Sequence, residues 1–412
     1  MYDYELFKYV DLQRVQNIVS THIHSVDTEV VDVRECLGRI LAESITIKED
    51  VPSHDISHVD GFAIRVEDVR DVPAKLRIAE GAVREGTAVF VRTGEPVPDG
   101  ANAVVPIEAT RIEGDYVTIF YRPQKGSEII PQGVDFRAGE VVLRAGQELR
   151  PQDVKLLIEL GYERVEVFRR PKVLIVPTGS EFVEGLARES SSIFVKGVAS
   201  AYGAECYIHE VLPDDPGRIA EVLKEGLARY DLVATIGGAS IGQRDYSWKA
   251  VKSLGIDGPY FRGIKAVPGR VTSLAIVSGK PVILIPGFIE SAFTALVYVL
   301  LPAIRRLSGA SDTTAHKPLC TAVITEEVDL GAFGRKYRSF LKVKFVNLTS
   351  GGELPAAEVI KTVSFMLSPL VKSSGFIEVP PGVNELRAGS RVVVYGVRGV
   401  FREDWAPQAA CG

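Results

Sequence analysis

Cysteine is scarce and scattered here: Cys36, Cys206, Cys320 and Cys411 include no Cys-x-x-Cys pair. Neither a disulfide-built scaffold nor a zinc ribbon follows from such spacing. The most apolar stretch, Phe293 to Ile304, is too short to span a bilayer and ends in Arg305 and Arg306. Residues 1–8 are charged and lack an apolar core, so no signal peptide is expected. Positive charge is not in excess: 48 Lys and Arg against 53 Asp and Glu give a net charge of −5. A mildly acidic chain has no electrostatic reason to bind nucleic acid or an anionic membrane. Neither a Walker A loop nor G-x-G-x-x-G is present, which disfavours an ordinary P-loop or dinucleotide fold. Internal repeats and low-complexity tracts are absent as well. The expectation is a cytoplasmic, multidomain protein with neither nucleic acid nor membrane as partner.

At 412 residues and 46% hydrophobic, with 38 Gly and 23 Pro, the chain is long enough for about two to four folded domains rich in turns. Leu12, Val15, Ile18, Val19 and Ile23 recur at helical spacing behind a candidate cap at Asp11. From Val51 to Gly139, short β-branched runs broken by Gly and Pro clusters predict a small all-β module. Pro151 to Gly161 reads as helix again, with Gly161 as its stop. The middle of the chain alternates buried strands with helices. Lys172–Pro177, Cys206–Leu212, Asp231–Ile236 and Pro281–Ile285 are apolar runs. Between and after them lie helical stretches near Phe194–Tyr202, from Asp215-Pro216 onward, and from Glu290 to Leu307. This grammar predicts a parallel α/β sheet. After Lys317 the alternation of Tyr337–Val346 and Arg391–Val397 predicts a C-terminal β domain.

Ligands of open α/β sheets bind beyond the carboxyl ends of the strands. Three such ends carry Thr178-Gly179-Ser180-Glu181, Gly237-Gly238-Ala239-Ser240-Ile241-Gly242 and Pro286-Gly287. Glycines let backbone N–H groups approach an anion, so a phosphate-bearing ligand is expected; the bland alternative is tight strand-to-helix turns. Glu181, Asp214 and Asp245 follow strands at the same edge and are candidate ligands for Mg²⁺ beside a phosphate. Asp214 also reads as a capping residue. His54 and His58 stand four apart and would share one side of a helix, but Val51-Pro52 and the β-branched neighbours argue for a loop. His22 and His24 cannot converge on a helix, and Cys206 reads as core.

Several blocks, in order, resemble those of the molybdopterin molybdenumtransferases, the MoeA and gephyrin E-domain group. His54-Asp55-Ile56-Ser57-His58-Val59-Asp60-Gly61-Phe62-Ala63 is similar to that family's DNSxMDG(Y/F)A. Thr93-Gly94 through Pro98, Gly100-Ala101, Val104-Val105 and Glu108 resembles TGAxxPxGADxVVxxE, and Gly133-Val134-Asp135 with Gly139 and Gly146 resembles GEDxxxG. Thr178 to Phe182 resembles TGDEL, Gly237 to Asp245 resembles GGVSVGxxD, Pro268-Gly269-Arg270 resembles part of KPGKP, and Pro286-Gly287 begins a PGNP. The likeness covers essentially the whole chain.

That resemblance implies an α/β plus β, multidomain fold. It would comprise a linking domain (1–50 and 140–170), an inserted β domain (51–139), a Mog-like parallel α/β domain (171–312) and a C-terminal β domain (313–412). It also implies a homodimer whose site pairs the α/β domain of one subunit with the β module of the other. The implied reaction converts adenylylated molybdopterin and molybdate, or tungstate, into molybdenum cofactor and AMP with Mg²⁺. A Mog-like adenylyltransferase is an implied partner. Carried over by motif, Asp60, Thr93, Asp135, Glu181, Asp214 and Asp245 would be catalytic. Glu181, Asp214 and Asp245 would hold the metal. Thr178, Gly179, Gly237, Gly238, Ser240, Gly242, Pro268, Gly269, Arg270, Pro286 and Gly287 would bind substrate.

The departures cluster in the α/β domain. Ser180 stands for the Asp of TGDEL, Ser191 for the Asn of GQxxDSN, Val267 and Val271 for the flanking Lys and Pro of KPGKP, and Phe288-Ile289 for the Asn-Pro of PGNP. Ile56 replaces the Asn of DNS. They leave a second reading, a paralogue of weakened chemistry acting as a dimeric pterin-binding or scaffold protein. A third is a metal-dependent hydrolase using His54, His58 and Asp60.

Overall fold

The structure, a computed structural model, describes residues 9–238, 245–331, 336–347 and 354–401. It divides into two compact units, one of residues 44–144 and one made of the flanking segments 1–43 and 145–412.

The smaller unit contains the β module expected at 51–139. It begins and ends slightly further out because Ile45–Thr46 pairs antiparallel with Val141–Leu143. Its main sheet runs in the order Ala103–Pro106, Gly61–Ile64, Thr87–Val91, Ala74–Ala79, Tyr116–Ile119, Thr110–Glu113. The Gly61–Ile64 strand is buried throughout: Phe62 and Ile64 pack with Leu76, Val105, Val117 and Ile119, while Ala63 packs with Val89, Val91 and Val104. Gly61 has no room for a side chain, since a Cβ there would lie 2.2 Å from the Val105 carbonyl oxygen. The register sets Gly61 opposite Val91. The residues just outside that pair, Asp60 and the Arg92-Thr93 turn, therefore leave the sheet together.

In the larger unit, Glu205–Ile208, Lys172–Pro177, Leu232–Ile236 and Lys280–Ile285 form the parallel core of a six-stranded sheet. Ser273–Val277 and Tyr260–Arg262 add an antiparallel edge, so the sheet is mixed rather than wholly parallel. The physical reason is a two-residue hairpin at Ser278-Gly279, with φ of +51° and +69°, which joins neighbouring strands without a crossover helix. Helices cover both faces. Ile219, Leu223, Leu227, Trp248 and Val251 pack on one; Val15, Ile18, Val195, Val198, Phe293 and Leu300 pack on the other. Asp11 caps the Leu12–His22 helix by accepting from the Arg14 amide at 2.8 Å, and Asp215 caps Pro216–Arg229 through the Gly217 amide at 2.7 Å. The long apolar helix opens at Ile289 and passes through a widened π turn, Leu296–Leu300, before ending at Leu307. Pro302 lies two residues after that turn and lacks the N–H that a regular ladder needs.

The C-terminal strands close on themselves. Arg338–Asn347, Ala356–Val359, His316–Ile324, Arg391–Val397 and Gly375–Val379 follow one another, and the last pairs back to the first. Ala322, Ile324, Val343, Phe345, Ala357, Ile377 and Val394 fill the interior. Among the described residues, no helix is long and apolar enough to cross a membrane.

Candidate active site

Three neighbouring parallel strands, Lys172–Pro177, Leu232–Ile236 and Lys280–Ile285, release their loops at one edge of the sheet. The loops interlock through the backbone. The Thr178 amide donates to the Ile236 carbonyl at 2.8 Å, Gly179 to Leu212 at 2.9 Å, and Gly237 to Ile285 at 3.1 Å. A Cβ on Gly237 would sit 2.5 Å from the Thr178 carbonyl oxygen, and one on Gly238 would sit 2.6 Å from Ser247 Oγ. Both glycines have positive φ, +88° and +59°. A Cβ on Gly287 would touch the Gly237 Cα at 3.7 Å. No side chain fits at Gly237 or Gly238, so the turns meet there backbone to backbone, at the edge where an open α/β sheet takes its ligand. Pro286 is buried beneath it and Gly287 is exposed. Ser240 and Gly242 lie outside the described residues.

Two of the three expected metal-site carboxylates belong to this edge. Glu181 stands exposed in the short Ser180–Val183 helix that follows Gly179. Ser180 Oγ accepts from the Asp214 amide at 3.1 Å, tying the two acidic segments together. The third is engaged elsewhere. Asp245 is only 4% exposed: its Oδ1 accepts from the Trp248 amide at 3.1 Å, capping Tyr246–Ser253, and its Oδ2 accepts from Arg262 at 2.6 Å. Burial pushes the Asp245 carboxyl up from its ordinary range, against the pull of Arg262. The structure does not gather Glu181, Asp214 and Asp245 into one ligand set. Among the described residues, no three His, Cys, Asp or Glu side chains are grouped to hold a metal ion. The His54–His58 segment is not helical, so the convergence a helix would impose does not arise; His58 Nδ1 instead lies 3.0 Å from Glu128 Oε2.

The Pro268–Arg270 loop packs against the helix that follows Gly287. A Cβ on Gly269 would lie 2.9 Å from Thr294 Cβ. Arg270 is clamped between the rings of Tyr9 and Tyr337, 5.3 and 5.2 Å from their centroids, and donates to the Tyr9 hydroxyl at 3.1 Å. Phe288, where an amide was expected, is 60% exposed and meets Phe365 edge-on at 6.5 Å.

In the smaller unit, Asp60 and Thr93 form one group. Asp60 Oδ1 accepts from the Thr93 amide at 2.7 Å and from its hydroxyl at 2.9 Å. These two donors hold the Asp60 carboxyl below its usual range, although it is exposed. Asp135 is exposed on the loop whose amide donates to the Val51 carbonyl at 3.1 Å.

Sequence reasoning missed two residues here. Ser247 donates to the Gly237 carbonyl at 3.1 Å and so closes the glycine loop. Arg262 holds Asp245 from a strand 17 residues further on. Neither carries a local signature, because both matter only through tertiary contacts.

Known proteins agree with this arrangement. The sequence matches the family models for the MoeA N-terminal region (domain I and II) over residues 10–161, the "Probable molybdopterin binding domain" over 174–306, and the MoeA C-terminal region (domain IV) over 332–397. It is 30% identical over 407 residues to a molybdopterin molybdenumtransferase of Staphylococcus epidermidis, covering 93% of this chain and 94% of that one. A molybdopterin molybdenumtransferase of Staphylococcus aureus is 28% identical over 403 residues, with 92% and 93% covered. The crystal structure of a molybdopterin biosynthesis MoeA protein from Pyrococcus horikoshii superposes with a TM-score of 0.77 at 30% identity, spanning 94% of this chain and all of that one. With its three regions matched in order and relatives aligned along nearly their whole length, the chain belongs to the molybdopterin molybdenumtransferase family of transferases in molybdenum-cofactor biosynthesis.

Proposed function

We propose that this chain converts adenylylated molybdopterin and molybdate, or tungstate, into molybdenum cofactor with release of AMP. The observation that carries the reading is the meeting of the Thr178, Gly237 and Gly287 turns at one sheet edge beside Glu181 and Asp214. The glycine-lined turns leave backbone rather than side chains at this edge, where an open α/β sheet takes its ligand, and so suit the pterin–nucleotide ester.

Mg²⁺ fits two of the expected carboxylates. It takes one or two protein carboxylates together with substrate oxygens, so Glu181 and Asp214 would hold it, whereas both Asp245 oxygens already accept strong hydrogen bonds. When bound, the ion supplies charge that offsets the pyrophosphate. Asp245 then acts through the fold, setting the start of Tyr246–Ser253 and with it Ser247 against the glycine loop. Asp60 and Thr93 would act in trans, in a homodimer that sets the β unit of one subunit against the α/β edge of its partner. There Thr93 keeps Asp60 ionised and aimed. A cytoplasmic location and supply of the adenylylated pterin by a Mog-like adenylyltransferase belong to the same reading.

The test is calorimetric titration of the purified chain with molybdopterin, then with the adenylylated pterin plus Mg²⁺, followed by molybdate. Binding of the adenylylated form and AMP release on adding molybdate are expected. Binding without release would favour the scaffold reading, for which the exposed Phe288 in place of an amide is the specific motive. Absence of binding would overturn both.

A further inference from the structure

The ligand edge runs directly into an exposed aromatic pair. Phe288 follows the exposed Gly287, so its Cα lies about 3.8 Å from that of a residue in the edge itself. Its ring meets that of Phe365 at 6.5 Å between centroids, with the planes inclined at 61°. The two residues are 60% and 68% exposed, and Val363 and Leu367, on either side of Phe365 in sequence, are exposed as well. Single apolar residues in water are ordinary, whereas a cluster of them bordering a ligand edge marks a binding surface.

The backbone beneath both rings is set before any ligand arrives. Phe365 occupies a tight turn closed by the Met366 amide, which donates to the Val363 carbonyl at 2.9 Å. The Glu290 amide donates to the Ser364 carbonyl at 3.2 Å, fastening that turn to the start of the helix that Phe288 caps. Glu290 is in turn held by Lys342 at 2.8 Å, both side chains fully buried. Little backbone ordering is then left for binding to impose. In an edge-to-face pair one ring presents its rim to a face of the other, so the contact uses one of the four ring faces.

Phenyl rings offer neither formal charge nor a conventional hydrogen bond, so what they select is another flat π system. Gly237 and Gly238 leave backbone alone at their turns, and the aromatic pair supplies a ring contact that backbone lacks. Relative to the Asn-Pro of the family motif, Phe288-Ile289 exchanges an amide for a stacking face. We propose that Phe288 and Phe365 form a platform that stacks a flat heteroaromatic ring of the substrate, the shared chemistry of pterin and adenine. The inference rests on the adenylylated pterin being the ligand of this edge, and it makes the two phenylalanines determinants of substrate binding.

The experiment is calorimetric titration of the full chain with adenylylated molybdopterin plus Mg²⁺, with molybdopterin, and with AMP. It is repeated on Phe288→Ala, Phe288→Leu, Phe288→Tyr and Phe365→Ala. Both alanine variants should bind the adenylylated pterin at least about fivefold more weakly, the effect of losing one stacked ring. Phe288→Tyr should bind as the wild type does, and Phe288→Leu, apolar but without a π face, should resemble the alanine variant. A loss shared with AMP identifies adenine as the stacked ring, and one shared with molybdopterin identifies the pterin. Both side chains are exposed, so thermal melts should not move and the loss is read on folded protein. Unchanged affinity in both alanine variants, or full affinity in Phe288→Leu, would overturn the platform while leaving the proposed reaction in place. So would a changed sedimentation equilibrium in the alanine variants with substrate affinity unaltered, which would assign the rings to contact between copies of the chain. No binding of any of the three ligands by the wild type would overturn platform and reaction together.

Discussion

Asp60 shows how little side chain an acidic site needs when the donors are well placed. Thr93 supplies both an amide and a hydroxyl to one oxygen, and these donors hold the carboxyl below its ordinary range. Asp60→Ala should abolish cofactor assembly while leaving the unfolding transition unchanged, because the residue is exposed. Reconstitution of a molybdenum enzyme alongside a thermal melt checks both halves. Thr93→Val keeps the amide bond and loses only the hydroxyl, so the Asp60 pKa should rise, as carboxyl NMR titration would read. Asp245 presents the opposite case. Asp245→Asn leaves Arg262 buried without its charge partner and should cost about 3–5 kcal/mol of stability, read from denaturant midpoints. Were Asp245 only a metal ligand, activity would fall and the midpoint would stay. The acidic residue types were legible in the sequence; which of them would be neutralised by an arginine was not.

Among the structural elements, strands and caps were the most legible. Lys172–Pro177 forms as expected because an unbroken apolar run of that length suits burial on both faces. Asp11 and Asp215 cap their helices for the same local reason. The Ser273–Val277 strand was not foreseen, since its partner choice depends on the short Ser278-Gly279 turn and not on its own composition. The glycine loops are local in sequence yet tertiary in purpose. Gly237→Ala would drive a methyl group to within 2.5 Å of a backbone oxygen that cannot swing aside. A loss of about 1–3 kcal/mol is expected, with a larger proportional fall in binding of the adenylylated pterin; equilibrium unfolding and calorimetry measure the two separately.

Across the larger unit, a buried ion pair links the helix after Gly287 to the C-terminal barrel. Lys342 Nζ lies 2.8 Å from Glu290 Oε2, both fully buried, with the ammonium 4.1 Å from the Phe293 ring centroid. Lys342→Met should cost about 3–5 kcal/mol by leaving Glu290 uncompensated, and Lys342→Met with Glu290→Leu should recover most of it. Chemical denaturation of the single and double variants decides this. The unit also carries carboxylates held below their ordinary range. Asp153 is lowered by the Arg150 guanidinium, and Asp231 and Glu148 are lowered by arginines despite burial that acts the other way. A depressed folded-state pKa means stability that is full above about pH 4, the unfolded value, and is lost as pH falls through the folded one. Acid titration followed by circular dichroism should therefore show unfolding beginning below about pH 4.

The sequence by itself determined the classes of element, their order, and the chemical inventory of the ligand edge. Periodicity, caps and glycine positions are decided within a few residues of chain, where local sterics and hydrogen bonding dominate. Only the tertiary structure decided which groups meet. Arg262 withdraws Asp245, Tyr9 and Tyr337 clamp Arg270, Phe365 meets Phe288, and five arginines from four segments surround one cavity. Each of those outcomes depends on long-range packing, and charge and ring contacts across such separations leave no local pattern to read.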